Sequence, residues 1–384
     1  MVLSLSTIAA FAFSAAAPAP EAQAVVPTDA KFETYGVGGA TGCQAQTADT
    51  PCEPIDITED TVSGVHKLYV ANYWKGNVVS YKNPDSATPV TNPGTTPSQE
   101  LTVGANPISL AADSTNHYIY VANEGSGTIS VIQNKGTAED AVIKTIQLTI
   151  KPTFIAYDSA NSRLYAISST QNKVQVVTNL KAASPTVAAA LSTGTNPVKG
   201  VVAGTRFFIA NAASNNVTVV NGTSVSAITL PGAVNPFDIS YDASSKNAFI
   251  SNAGSNNVSV IKNADSDTPA YDKNIAVGAI PHGIISASNG YTYVANSGAT
   301  TVSAFPSNGT SVTPIPLSSS NPEGFAEGKL DKKIYAYDNK NDVVSAIRGD
   351  ASDGEAINTV AHTWTRGGDP DPAFDTIMSA FGST

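Results

Sequence analysis

The chain has 384 residues, of which 14% are charged, well below the share of about a quarter in ordinary globular domains. Lys plus Arg number 21 against 31 Asp plus Glu, a net charge of −10; this argues against unassisted nucleic-acid binding, and the charge deficit argues against coiled coils and charged disordered tails. Two Trp, two Met and four His set against 29 Gly and 23 Pro leave little for haem ligation, His-rich metal clusters or Met-lined grooves and favour a turn-rich all-β chain.

The first element is an apolar run at residues 2–17, followed by Ala22-Gln23-Ala24, which has the small-x-small form of a signal-peptidase site. Ala15-Ala16-Ala17 offers an alternative cleavage point, and no Lys or Arg precedes Lys31. A signal peptide over residues 1–24 is therefore expected, with a secreted or extracellular product, at the cell wall or cell surface. Residues 31–37 alternate as a strand that could close the far end of the fold. Cys43 and Cys52 are the only cysteines; in an exported chain the expectation is one disulfide, worth roughly 2–3 kcal/mol by loop entropy. No nearby His or Cys completes a zinc site around them. No later segment reaches the ~18 apolar residues that span a bilayer, and the tail at 365–384 is too short and polar for a lipid-anchor signal.

From Pro54 to Trp364 one pattern recurs seven times. Its second strand reads YVAN at 69–72 and 120–123, YAIS at 165–168, FIAN at 208–211, FISN at 249–252, YVAN at 293–296 and YAYD at 335–338. A proline precedes each first strand: Pro54, Pro107, Pro152, Pro197, Pro236, Pro281 and Pro322. With its fixed φ and no N–H, proline suits a strand's beginning and not its interior. Lys75-Gly76-Asn77, Ser126-Gly127, Asn215-Asn216 and Asn256-Asn257 supply tight turns because Gly and Asn accept positive φ. β-branched third strands such as VVSY and TISVI follow. A fourth apolar segment closes each unit, at 100–103, 144–149, 187–192, 227–230, 273–277, 312–317 and 356–360. Units of this length with four antiparallel strands are propeller blades: each sheet buries its two faces only against its neighbours. The predicted fold is an all-β, seven-bladed β-propeller of four-stranded antiparallel blades over residues 54–364, its recurring aromatics assigned to inter-blade packing.

The YVAN, FIAN and YAYD strands resemble those of the YVTN family of seven-bladed propellers, with Ala in place of Thr. WD40 and quinone-dependent propellers are disfavoured, because Trp74 and Trp364 are the only tryptophans.

First strands line a propeller's channel, so the residues after each proline mark one rim. Those pairs are Ile55-Asp56, Ile108-Ser109, Thr153-Phe154, Val198-Lys199, Phe237-Asp238, His282-Gly283 and Glu323-Gly324. Asp56, Lys199, Asp238, His282 and Glu323 are the candidate ligand-binding set, with His282 and Glu323 as candidate proton-transfer groups. The glycines after His282 and Glu323 are expected to let a ligand approach the backbone. The chain is also similar to fungal 3-carboxymuconate cyclase and lactonase-type propellers. That resemblance implies lactone formation or opening by a His, acidic residues and arginines that hold a carboxylate. Arg163, Arg206, Arg348 and Arg366 all fall away from the predicted rim, which leaves Lys199 as its cation.

Neither Asp265-Ser266-Asp267 nor Asp338 to Asp342 carries the ligand count calcium requires, and no metal or cofactor is expected. Asn216, Asn221, Asn257 and Asn308 begin Asn-x-Ser/Thr sequons, the first and third at equivalent hairpins expected to be exposed. The first reading is a monomeric, secreted, glycosylated binding protein of the cell-wall adhesin or antigen type, with a small molecule or a matrix or cell-wall component as partner. The alternatives are an active lactonase or cycloisomerase, and a prokaryotic surface-layer or periplasmic protein.

Overall fold

The computed structural model describes residues 54–82, 99–317, 321–327, 333–338, 343–349 and 358–365. The expected signal peptide, the strand at 31–37, the Cys43–Cys52 disulfide and the tail beyond 365 lie outside the described residues. Seven antiparallel sheets follow one another, each with its strands in chain order. Their first strands are Pro54–Val62, Pro107–Asp113, Phe154–Asp158, Pro197–Ala203, Pro236–Asp242, Pro281–Ser286 and Gly324–Glu327. The fold is a seven-bladed β-propeller. No helix among the described residues is long and apolar enough to cross a membrane.

Two fourth strands differ from expectation. In blade three the run at 187–192 is split into Thr186–Val187 and Leu191–Ser192, both paired with the third strand. In blade seven the fourth strand is Val360–Thr365, not 356–360, and it pairs with Val343–Ile347. Blade seven is thus completed by the chain that follows its own third strand.

The repeat motif has a physical explanation at each position. Tyr69, Tyr120, Tyr165, Phe208, Phe249 and Tyr293 are fully buried, each worth about 1.5–3 kcal/mol of burial. They join neighbouring sheets: one cluster runs from Tyr69 through Tyr120 to Ile155 and Leu164, across blades one to three. The terminal Asn of the motif stitches the hairpin to the third strand. Asn252 Nδ2 donates to Asn257 Oδ1 at 2.7 Å and Ser259 Oγ at 2.8 Å; Asn211 does the same to Asn216 and Thr218, and Asn296 to Thr301 and Ser303.

The residue before the proline is also explained. Asn106, Asn196 and Asn235 have φ near +54°, at 54°, 54° and 55°, and their carbonyls accept the N–H of Glu124, Ala212 and Ala253 beyond the second strand. Asn tolerates this left-handed region. In blade six the position is held by Ile280, with φ of 49°, a conformation that costs a β-branched residue on the order of 1–3 kcal/mol. The strained residue lies two positions before His282.

Candidate functional site at the channel mouth

In blades one, two, four and five the first strand carries a bulge between the proline and the second residue after it. The extra residue turns its side chain away from the regular alternation. Blade six departs further: Pro281 pairs with Asn296 and Ile284 with Val294, which leaves His282 and Gly283 off the ladder. Gly283 instead donates its N–H to the Glu323 carbonyl of blade seven at 2.9 Å. A Cβ on Gly283 would lie 2.6 Å from Gly324 Cα and 2.7 Å from the Glu323 oxygen, so only glycine permits this approach. Gly283 serves contact between two blades, where the sequence suggested contact with a ligand.

The swing of blade six brings His282 to Glu323. Nδ1 lies 2.6 Å from Glu323 Oε2, and the two side chains are 16% and 20% exposed. Phe237 of blade five stacks on the imidazole, centroids 4.2 Å apart and planes within 9°. Ser251 Oγ donates to the His282 carbonyl at 2.5 Å, and Ser297 Oγ donates to Glu323 Oε2 at 3.3 Å. The ring is therefore fixed on one nitrogen and one face, and among the described residues no hydrogen bond occupies Nε2.

Asp56, Ser109, Lys199 and Asp238, each the second residue after its blade's proline, are buried. Asp56 accepts the N–H of Ile57 at 2.8 Å and, across the seam to blade two, that of Leu110 at 2.7 Å. Asp238 likewise accepts Ile239 and, across to blade six, Ile284 at 3.3 Å. Ser109 receives Ile155 of blade three in the same way. These side chains clasp adjacent first strands at one equivalent position, a structural task the sequence reading did not assign to them. Lys199 is buried with its ammonium 5.5 Å from the Phe154 ring centroid, a cation–π contact. Burial pushes the Asp56 carboxyl up to about 6, against the lowering effects of the Leu110 N–H and the Lys199 charge. Burial raises Asp238 and lowers Lys199 for the same reason, each partly offset by the other's charge.

Tyr337 was not foreseen. It stands opposite Gly324 in the ladder, and a Cβ at Gly324 would meet its hydroxyl at 2.4 Å. The phenol therefore fills the space that glycine leaves. Burial pushes its pKa well above the usual phenol value, with the charges of Glu323, Asp238 and Asp56 adding to the effect, so it remains a neutral donor. The signal was present in the repeat: Tyr337 replaces the Ala of YVAN, as Ser251 does in blade five.

The remaining sequence candidates lie elsewhere. Arg163 pairs with Asp158, Arg206 with Asp267, and Arg348 bonds Thr359 and the Val360 carbonyl. Asp265 faces Lys246, so this acidic loop is neutralised by cations. Asn216 and Asn257 are half-buried, at hairpins whose neighbouring residues Ala213, Gly254 and Asn256 are exposed, and their side-chain oxygens accept the motif asparagines. Asn221 and Asn308 are exposed, at turns.

No family model matches the sequence, and no curated protein matches it. Solved structures do. A catalytically inactive His-to-Ala variant of virginiamycin B lyase from Staphylococcus aureus, with quinupristin, is 10% identical with a TM-score of 0.52, covering 66% of this chain and 82% of that one. A streptogramin B lyase is 14% identical with a TM-score of 0.55, covering 75% and 91%. A functionally unknown protein from Desulfotomaculum acetoxidans is 12% identical with a TM-score of 0.59, covering 77% and 94%. At these identities the likeness concerns the fold alone.

Proposed function

We propose that the channel mouth transforms a small molecule by proton transfer at His282, with a lactone or an unsaturated acid as the substrate class. The observation that carries this reading is the 2.6 Å contact of His282 Nδ1 with Glu323 Oε2, made by a ring also packed on Phe237. A carboxylate on Nδ1 fixes the tautomer, keeps Nε2 for the substrate and stabilises the imidazolium that forms when Nε2 takes a proton. Lys199 supplies the buried cation for a substrate carboxylate. A virginiamycin B lyase and a streptogramin B lyase share the propeller fold, and a His-to-Ala variant of the first is catalytically inactive; that supports a lyase reading and assigns no residue here.

The test is turnover of a panel of lactones, muconates and quinupristin. His282→Ala is expected to abolish it, and Glu323→Gln to lower kcat by about 10²–10⁴-fold, the range for general acid–base groups. Turnover that survives His282→Ala refutes the reading. A secreted, glycosylated binding protein of the cell surface is the second reading, favoured by the exposed sequons at Asn221 and Asn308. Glycans at those two positions on the secreted protein, with binding to cell-wall or matrix material and no turnover of the panel, decide for it.

A further inference from the structure

Blade six enters its first strand through a residue ill suited to its backbone. Asn106, Asn196 and Asn235 take φ of 54° or 55° at this position, and Ile280 takes 49°. The fold holds Ile280 as it holds the asparagines. Its N–H goes to Asn256 Oδ1 at 2.9 Å, as those of Asn196 and Asn235 go to Asn172 and Asn215 at 2.8 Å. Its carbonyl accepts the Ser297 N–H at 2.9 Å, as theirs accept Ala212 and Ala253. With the same backbone partners in place, asparagine would fit here and would avoid the strain of a β-branched side chain in the left-handed region. The isoleucine gains little burial in return, since it is 46% exposed. A strained residue that also leaves apolar surface in water points to function when the fold requires neither.

Val234 repeats the exposure one blade earlier, at 48%. A Cβ on Gly254 would lie 2.6 Å from Val234 Cγ1, and one on Gly298 would lie 2.9 Å from Ile280 Cγ1, so each side chain lies across the glycine of its own blade's hairpin. The blade-five hairpin runs between them: Gly254 donates its N–H to the Val234 carbonyl, and Asn256 accepts that of Ile280. Segments 231–236, 252–257, 278–281 and 296–301 contain no Asp, Glu, Lys, Arg or His, while the corresponding turns carry Lys75 in blade one, Glu124 in blade two and Lys151 in blade three. The uncharged strip runs into the dyad. Val234 is three residues from Phe237, whose ring stacks on His282. Ile280 is two residues from His282 itself, a reach of at most about 7 Å along the chain.

We propose that Val234 and Ile280 form an apolar lip that binds the alkyl part of the molecule held at His282 and Glu323, with Ile280 as the specificity-determining residue. The head group follows from the proton-transfer reading, on which this assignment rests; the lip narrows the substrate class to lactones that carry an alkyl chain. A charged or strongly polar substituent laid along the strip would lose hydration without gaining an ionic partner. Each methylene laid on Val234 or Ile280 is instead removed from water, which is favourable.

The probes are 2-alkylcyclopentanones with methyl, propyl and pentyl chains, lactone analogues without an ester bond to open, titrated calorimetrically into the full chain. Affinity is expected to rise about twofold per added methylene, half in free energy of what a fully buried one contributes. Ile280→Asn is expected to cut that gain to about 1.3-fold or less per methylene, to leave the affinity of the methyl probe unchanged, and to raise the denaturant midpoint by releasing the strain. Val234→Ser is expected to flatten the series in part, without that stabilisation. A higher midpoint with an unchanged chain-length series would make Ile280 strained and nothing more, and overturns the proposal. No binding of any probe at millimolar concentration overturns it as well. A dimer in sedimentation that Ile280→Asn dissolves assigns the lip to a second copy of the chain and has the same effect. Chain-length-dependent binding that is lost in Ile280→Asn upholds the lip even where the lactone panel shows no turnover, an outcome that refutes proton transfer alone.

Discussion

Two seams of the ring each carry a short ionisable pair, and they are built for different ends. Between blades one and two, Lys67 and Asp140 lie 2.6 Å apart with both side chains 0% exposed. Tyr69 donates to the second carboxylate oxygen at 2.9 Å, and Gln99 satisfies the Asp140 backbone in both directions. Both carboxylate oxygens of Asp140 are bonded, and no substrate can enter. Between blades six and seven, His282 and Glu323 are equally close, yet both keep a share of solvent and Nε2 is left unbonded. A sealed pair holds two blades at fixed spacing, and a half-open pair at the mouth of a channel can take up and release a proton. Burial, rather than distance, separates the structural pair from the chemical one.

The comparison breaks most visibly at the sealed seam. Asp140→Ala strands the Lys67 ammonium in a site without water, and a loss of about 3–5 kcal/mol is expected by denaturant titration, with the turnover of the folded fraction unchanged. A loss under 1 kcal/mol would show the pair to be dispensable. The buried Asp56 carboxyl is next in size. The Asp56 carboxyl has a folded pKa raised to about 6 from 3.8, so between these values the folded state binds the proton more tightly than the unfolded chain. Stability from this group is present in full below pH 3.8 and is lost as pH rises through 6, by about 3 kcal/mol in all. The difference in the stability–pH slope between the protein and Asp56→Asn over pH 4–6 measures it; identical slopes would remove the claim. The smallest effect is at the open seam. Gly283→Ala forces Cβ against the Gly324 backbone and is expected to cost about 1–3 kcal/mol, as overpacking does. It also parts His282 from Glu323, so activity should fall further than stability. A variant crystal structure with the 2.6 Å contact intact would refute the link between the glycine and the pair.

Much of this was legible beforehand. The YVAN strands, the prolines and the Gly or Asn turns set the number of blades and their strand order, because propeller sheets are local in sequence and each hairpin is fixed by its own turn. His282 and Glu323 were found as equivalent positions in neighbouring units, since the repeat supplies an alignment within the single chain. Tyr337 and Ser251 were legible in principle as departures from the motif at one column. The inter-blade duty of Asp56 and Asp238 was not, because their partners, the N–H groups of Leu110 and Ile284, belong to backbones that every residue type shares.

Local periodicity, turn chemistry and proline placement determined, from the sequence alone, a ring of seven four-stranded sheets and the column from which its channel is lined. Those features act over a few residues and need no knowledge of the rest of the chain. Tertiary structure alone decided how closely neighbouring blades approach. That spacing follows from the sum of side-chain volumes at each seam, and it turned one pair of polar residues into a sealed strut and another into an open dyad.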